Sequence, residues 1–538
     1  MHSLFRTLVA LPLLASAAGA QPWRPDLGDG RYRNPIVFAD YSDPDVLRVG
    51  DDYYMTASSF GHVPALPILH SRDLVNWTLV NHAVRRLPAD FDVPQHGNGV
   101  WAPSIRAHGG WFYIYWGDPD RGIYMVRTRD LRGAWEPPVL VKAARGWIDP
   151  APLWDDDGSA YLVHAFARSR AGIKHRLHVA RMSRDGTRLL DEGRLVFMDS
   201  LAHPTMEGPK FYKHEGWYHI FAPAGGVPTG WQTVLRSRQV FGPYEDRIVL
   251  AQGATPVNGP HQGGWVRTPG GEDWFVHFQD RGPYGRIVHL QPMRWRDGWP
   301  VMGEDADGDG TGTPVAVHAK PRVRARVAPT APATGDEFVG PALGRQWQWN
   351  ANPQARWWSL GGGALRLAAE PLAGANLWTS GNLLLQKLPA PSFTATTRLT
   401  TRGARPGETF ALTVFGLDYA YVGVRRTARG HEVVHARVAN ADRGGPEERG
   451  AAVPVRAGPV WLRVTVEEAA RDSARCRFAY STDGTRFTTI GEPFMAREGR
   501  WVGAKVGLVA FADANGAGKP GEAVVDWFRI TAEPQRRR

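Results

Sequence analysis

The sequence predicts an all-β protein, a five-bladed β-propeller followed by a β-sandwich. Three observations predict it. One segment form recurs five times at roughly fifty-residue intervals. Within each copy, glycine- and aspartate-rich turns separate runs of valine, tyrosine, tryptophan and phenylalanine, the chemistry of β-hairpins. After Trp299-Pro300 the period is lost, yet strand-like alternation resumes from about Asp336 with no long helical pattern.

Taken in order, the repeats begin at Asp43 (DPDVLRVGDDYYMTAS), Trp101 (WAPSIRAHGGWFYIYW), Asp149 (DPAPLWDDDGSAYLVHAF), Glu207 (EGPKFYKHEGWYHIFAP) and His261 (HQGGWVRTPGGEDWFVHF). Each holds a polar or aromatic anchor, a glycine or proline close behind, an alternating strand, a tight turn and an aromatic strand. A further strand motif follows most of them, as in SRDLVNWTLV from Ser71. Consecutive antiparallel strands at this period form propeller blades, and a sandwich would not explain a five-fold repeat. Residues 21–320 are therefore expected to be the propeller, 321–335 (PRVRARVAPTAPATG) a linker, and 336–538 a two-sheet sandwich. The Asp155-Asp156-Asp157-Gly158 run reads as a solvated hairpin turn. Asp305, Asp307 and Asp309 with Gly310 look like the start of a calcium loop, but Ala316 stands where an EF-hand needs glutamate, so an acidic turn is expected.

Composition limits the remaining options. A chain of 538 residues with 43% hydrophobic content exceeds one domain and builds real cores. Net charge is +11, from 64 Lys and Arg against 53 Asp and Glu, but the arginines are scattered among glycines and acids, which argues against nucleic-acid binding. Residues 1–20 read as a signal peptide, with Arg6 ahead of an apolar stretch and Ala18-Gly19-Ala20 at the cleavage site. The stretch is too short for a bilayer. Export to the periplasm or the medium is expected, without membrane insertion. Cys476 is the single cysteine, so no internal disulfide forms.

Propeller geometry turns the anchors into a site. The innermost strands of all blades crowd one axis, so Asp43, Asp149, Glu207, Trp101 and His261 should converge although they lie far apart in sequence. Three carboxylates, an aromatic ring and an imidazole suit carbohydrate. Each residue also has a plainer reading: Asp43 and Asp149 precede prolines as turn formers do, Trp101 could be core, and His261 could be a packed histidine. Glu207, between Met206 and Gly208-Pro209, is the least like a surface residue.

The blocks NPIVFADYSDPDVLRVGDDYYMTAS, GVWAPSIRAHGGWFYIYWGDPDRGIYMV, GWIDPAPLWDDDGSAYLVHAF, HPTMEGPKFY and NGPHQGGWV…WFVHFQDRGPYGRIVHLQPM resemble glycoside hydrolase family 43, of the β-xylosidase and α-L-arabinofuranosidase type. GDEFVGPALGRQWQWNANP and DWFRI resemble its concanavalin-like C-terminal domain. The resemblance implies an inverting enzyme with Asp43 as general base, Asp149 as the acid that tunes the proton donor's pKa, and Glu207 as general acid. It implies that Arg286 touches the sugar, and that His261 is the axial histidine that in some members meets calcium, directly or through water. No cofactor is required for the chemistry; a structural calcium is the one candidate.

Inversion asks for one protonated carboxyl at the leaving oxygen and one carboxylate across the ring, about 6.5–9.5 Å apart, so that a water fits between them. The expected activity is release of terminal β-D-xylose from xylo-oligosaccharides of plant cell-wall xylan or arabinoxylan. The alternatives are an α-L-arabinofuranosidase acting on arabinoxylan or arabinan side chains, and a non-catalytic carbohydrate-binding propeller, which could dispense with Asp43 or Glu207.

Overall fold

A computed structural model describes residues 21–513 and 519–533. The predicted signal segment, residues 1–20, lies outside the described residues. From Asp45 to Met302 the chain forms five four-stranded antiparallel sheets, each built from strands consecutive in sequence. The innermost strands are Asp45–Val49, Pro103–His108, Trp147–Trp154, Lys210–His214 and His261–Arg267. Each predicted turn closes the first hairpin of its blade, as Gly109-Gly110 does between Pro103–His108 and Trp111–Asp118. Helix is confined to single turns such as Arg168–Ala171.

Aromatic and branched side chains on the two faces of each sheet pack into separate cores between neighbouring blades. Tyr54, Ile68, Ile105 and Trp116 join blades one and two. Tyr115, Met125 and Leu162 join two and three, and Ile148, Val179, Phe211 and Leu235 join three and four. Phe221, Phe275 and Trp299 join four and five, and Met55, Trp77, Trp274 and Val276 close the ring between five and one. The N-terminal segment reinforces that closure. Asn34 donates to Leu290 O and Val315 O at 2.8 Å and accepts from Leu290 N, while strand Arg31–Arg33 pairs with Val317–Ala319.

One local expectation is corrected. Asp155 is not part of a fully solvated turn: its carboxylate is buried and held by Lys213 and the Tyr218 hydroxyl, while Asp156 and Asp157 remain exposed. A lysine and a phenol supplied by the next blade offset its desolvation. In the acidic loop, Asp305, Asp307 and Asp309 do gather, but Asp305 is engaged by Arg296 at 2.9 Å and by the Gly308 amide at 3.0 Å.

The C-terminal sandwich stacks two eight-stranded, mainly antiparallel sheets around a core that includes Trp349, Phe393, Leu412, Val464, Leu508 and Phe528. It docks directly on the propeller. Phe38 and Tyr284 of the propeller join the sandwich core. Val63 and Trp349 exchange backbone hydrogen bonds, and the Tyr284 hydroxyl donates to Pro391 O at 2.8 Å. The Asn352 side chain accepts from Leu87 N at 2.9 Å and donates to Leu87 O, Pro88 O and Asp92. Asn352→Ala strands those buried groups, so the protein should lose about 1–3 kcal/mol of stability. Denaturant midpoints at unchanged slope would measure it; a loss under about 0.5 kcal/mol would mean that water replaces the amide.

Candidate active site

At one end of the propeller axis, Asp43, Asp149, Glu207, Trp101 and Arg286 line one pocket of about 110 Å³, together with Phe60, Ile148, Val227, Gln262 and Trp501. Five of the six residues singled out from sequence thus share a cavity. The sixth, His261, lies behind it, with Nε2 3.5 Å from Glu207 Oε1.

The backbone explains how the acids reach the axis. Asp43 and Asp149 both adopt φ 56°, Gly208 φ 60° and Gln262 φ 43°, and each stands immediately before Pro44, Pro150, Pro209 or Gly263. These four residues share one register. Glu207 and His261 come one residue earlier, so the anchors are not strictly equivalent as the repeat suggested. The left-handed conformation costs a non-glycine residue on the order of 1–3 kcal/mol, and its recurrence at two carboxylates marks a constraint beyond folding. Gly208 is required for a second reason: a Cβ there would lie 2.5 Å from the Gln262 side chain.

The three acids meet different surroundings. Asp43 is buried and densely solvated by protein: its Oδ2 accepts from the Ser42 and Ser58 hydroxyls at 2.6 and 2.5 Å, and Arg286 Nη1 lies 3.3 Å from Oδ1. Arg286 also donates to Ser42 Oγ at 2.8 Å and sits over the Phe278 ring. Among the described residues Asp149 accepts a single hydrogen bond, from Gly208 N at 2.8 Å. Burial above all, then the charge of Glu207, pushes the Asp149 carboxyl up to about 8, against the opposing pull of the Gly208 amide; Asp43 adds to the rise and Lys210 opposes it. Burial also raises Glu207, but it is outweighed by His261 and, more distantly, by Lys174 and Arg286, so this carboxyl stays below its ordinary value. Asp149 and Glu207 thus form one coupled pair, and burial together with their mutual repulsion favours a proton shared between them.

A hard cation wants six to eight oxygen donors. Around His261, Glu207 is the carboxylate within reach, and no cluster of three ligating side chains includes either residue among the described residues. His261 is fully buried and neither ring nitrogen has a hydrogen-bond partner among the described residues, so it could offer one ligand, and a calcium there would take most of its remaining donors from water.

Sequence reasoning missed Ser42, Ser58 and Trp501. Trp501 comes from the sandwich, at φ 64° in the loop before Lys505–Ala512, and its half-exposed ring meets Trp101 edge-on at 6.4 Å. Nothing in that loop's composition announces a site. The opposing loop makes room through Gly97, where a Cβ would fall 2.3 Å from Arg500 Cγ and 3.0 Å from Trp501 Cδ1. Asp40 ties the loop down by accepting from Gly503 N and Arg286 N, both at 3.0 Å.

Comparisons with known proteins agree with this geometry. Residues 32–300 match the model of glycosyl hydrolases family 43, and residues 335–531 that of the beta-xylosidase C-terminal concanavalin A-like domain. A putative beta-xylosidase from Xylanibacter ruminicola is 41% identical over 91% of this chain and 88% of its own. A beta-xylosidase from Formosa agariphila is 32% identical over 94% of this chain and 90% of its own. Among solved structures, a family 43 glycoside hydrolase engineered to display both endo-xylanase and exo-arabinofuranosidase activity aligns with TM-score 0.82 and 27% identity, over 94% of this chain and 100% of that chain.

Two outcomes follow from the site. If Asp149 carries the charge that helps Glu207 hold a proton, Asp149→Asn removes it and the high-pH limb of kcat/KM should move down. A substrate with an activated leaving group should lose much less activity than a disaccharide; equal losses with an unmoved limb would make Asp149 a purely structural residue. Trp501→Ala should raise KM for short oligosaccharides about tenfold, with a smaller change in kcat, if the sandwich forms a sugar-contacting wall.

Proposed function

The chain belongs to glycoside hydrolase family 43, and from that premise we propose that it is an inverting exo-enzyme releasing terminal β-D-xylose from xylo-oligosaccharides. One observation carries the proposal: carboxylates from three different blades face a single small pocket that a second domain walls on one side. A pocket with one side shut suits a chain end better than the middle of a polymer.

In this reading Asp43 is the general base. Its two serine hydroxyls and Arg286 stabilise the carboxylate, and it takes a proton from the water that attacks the anomeric carbon. Glu207 is the general acid. A sugar entering the pocket covers its partly exposed carboxyl and strips away the water that favours its charge, so the proton shared with Asp149 passes to Glu207 and then to the leaving oxygen. Asp149 acts as the proton's resting place and as the charge that raises its partner. Arg286 and Trp101 bind the sugar, the arginine by hydrogen bonds and the indole by stacking on a ring face. No step passes through a metal. Residues 1–20 support export, and the basic chain would then meet cell-wall oligosaccharides outside the cytoplasm. No helix among the described residues is long and apolar enough to cross a membrane.

A second reading, release of terminal α-L-arabinofuranose, is supported by the likeness to the engineered enzyme with exo-arabinofuranosidase activity. A panel of 4-nitrophenyl β-xyloside and α-arabinofuranoside separates the two, with xyloside expected to be turned over faster. Glu207→Gln and Asp43→Asn should each lower kcat on xylobiose by at least about a thousandfold while leaving the fold intact. The first-formed sugar, followed by NMR, should have inverted anomeric configuration; retention would overturn the roles given to Asp43 and Asp149.

A further inference from the structure

We propose that Asp40 is a positioning residue that holds Arg286 and the Trp501 wall in register with each other; this rests on reading the pocket they share as the sugar site. Asp40 stands three residues before Asp43, is 2% exposed, and does not itself line the pocket. Any effect it has on turnover must pass through the groups it holds.

Four consecutive residues grip Arg286. Its N–H donates to Asp40 Oδ1 at 3.0 Å, and its carbonyl accepts from Tyr41 N at 3.1 Å. Its Nη1 donates to Ser42 Oγ at 2.8 Å and lies 3.3 Å from Asp43 Oδ1. The guanidinium beside the base is therefore aimed by its own backbone, at the point where strand Arg286–Arg296 leaves the turn Gly282–Tyr284.

The second oxygen of Asp40 reaches across the domain seam. Oδ2 accepts from Gly503 N at 3.0 Å, two residues after Trp501, and Lys505 Nζ lies 3.9 Å from it. Ala504 N donates to Pro283 O at 2.8 Å, so the sandwich loop runs along the segment that ends in Arg286. Two glycines let these backbones close up. A Cβ on Gly285 would fall 2.5 Å from Asp40 Cγ, and one on Gly503 2.6 Å from Gly285 N.

A carboxylate suits this junction because each of its oxygens accepts one backbone N–H, whereas an asparagine would aim its own donor at one of them. Charge-assisted bonds of this kind are roughly twice as strong as neutral ones. Without them both the arginine's backbone and the tryptophan's loop are released, and a misplacement of about 1 Å can cost about a hundredfold in rate.

The test is a double-mutant cycle on the full-length enzyme, with kcat and KM measured on the short oligosaccharide that it cleaves fastest. Asp40→Ala should raise KM about fivefold, through the wall, and lower kcat about tenfold, through Arg286 and the base. In the double variant with Trp501→Ala, KM should stay within about twofold of Trp501→Ala alone, while the loss in kcat persists. A smaller active fraction would lower kcat and leave KM untouched, so a folded Asp40→Ala with wild-type KM overturns the proposal. KM effects that multiply in the double variant overturn it as well. If the alanine variant fails to fold by circular dichroism, Asp40→Asn carries the same expectations in direction. Trp501→Ala with unchanged KM would remove the wall and the proposal with it. Turnover surviving in Asp43→Asn would overturn the base assignment alone and leave the Asp40–Trp501 coupling to stand or fall on the cycle.

Discussion

Four carboxylates, those of Asp43, Asp45, Asp149 and Glu207, are drawn toward one buried axis, and like charges out of water cannot coexist there without compensation. Much of the local structure answers that demand. Asp45 is bound by Arg106 and two amides, and Asp43 by two serines and Arg286. Asp149 has one amide, and Glu207 has an imidazole and a remnant of solvent. The four surroundings differ, so the four groups titrate differently. That difference sets residues of the same chemical type apart from one another.

Such discrimination needs rigid walls, because a carboxylate that moves away from its partner loses its assigned state. The propeller supplies them through five distinct cores, each clamping two neighbouring blades, with the Asn34 segment fastened across the closing edge. The sandwich adds a lateral constraint. It is anchored at several points along the seam, among them Asn352, Trp349 and Tyr284, and the loop that carries Trp501 is pinned by Asp40. Because Asp40 holds Arg286 N as well as Gly503 N, one carboxylate fixes both the arginine beside Asp43 and the second domain's wall.

Some of this was legible beforehand. The repeat period and turn chemistry specify blades because hairpin signals are local and recur. The convergence of Asp43, Asp149 and Glu207 follows from radial symmetry, not from any contact between them. Where the reading slipped, a neighbouring blade intervened. Asp155 looks like a solvated turn residue within its own hairpin, but Lys213 and Tyr218 reach it from the next blade. Glu207 appears equivalent to the two aspartates, but the left-handed position in its strand belongs to Gly208.

The sequence by itself determined the all-β class, the five-blade count, the break before a second domain and the identity of the pocket's acids. These rest on short-range pattern and on a symmetry that the period announces. Tertiary structure alone decided how differently the three carboxyls are surrounded, and that Trp501 reaches the pocket from the other domain. Those properties depend on burial and on charges brought together from distant blades, and electrostatic energy follows distance in space and local polarisability, neither of which is written in the order of residues.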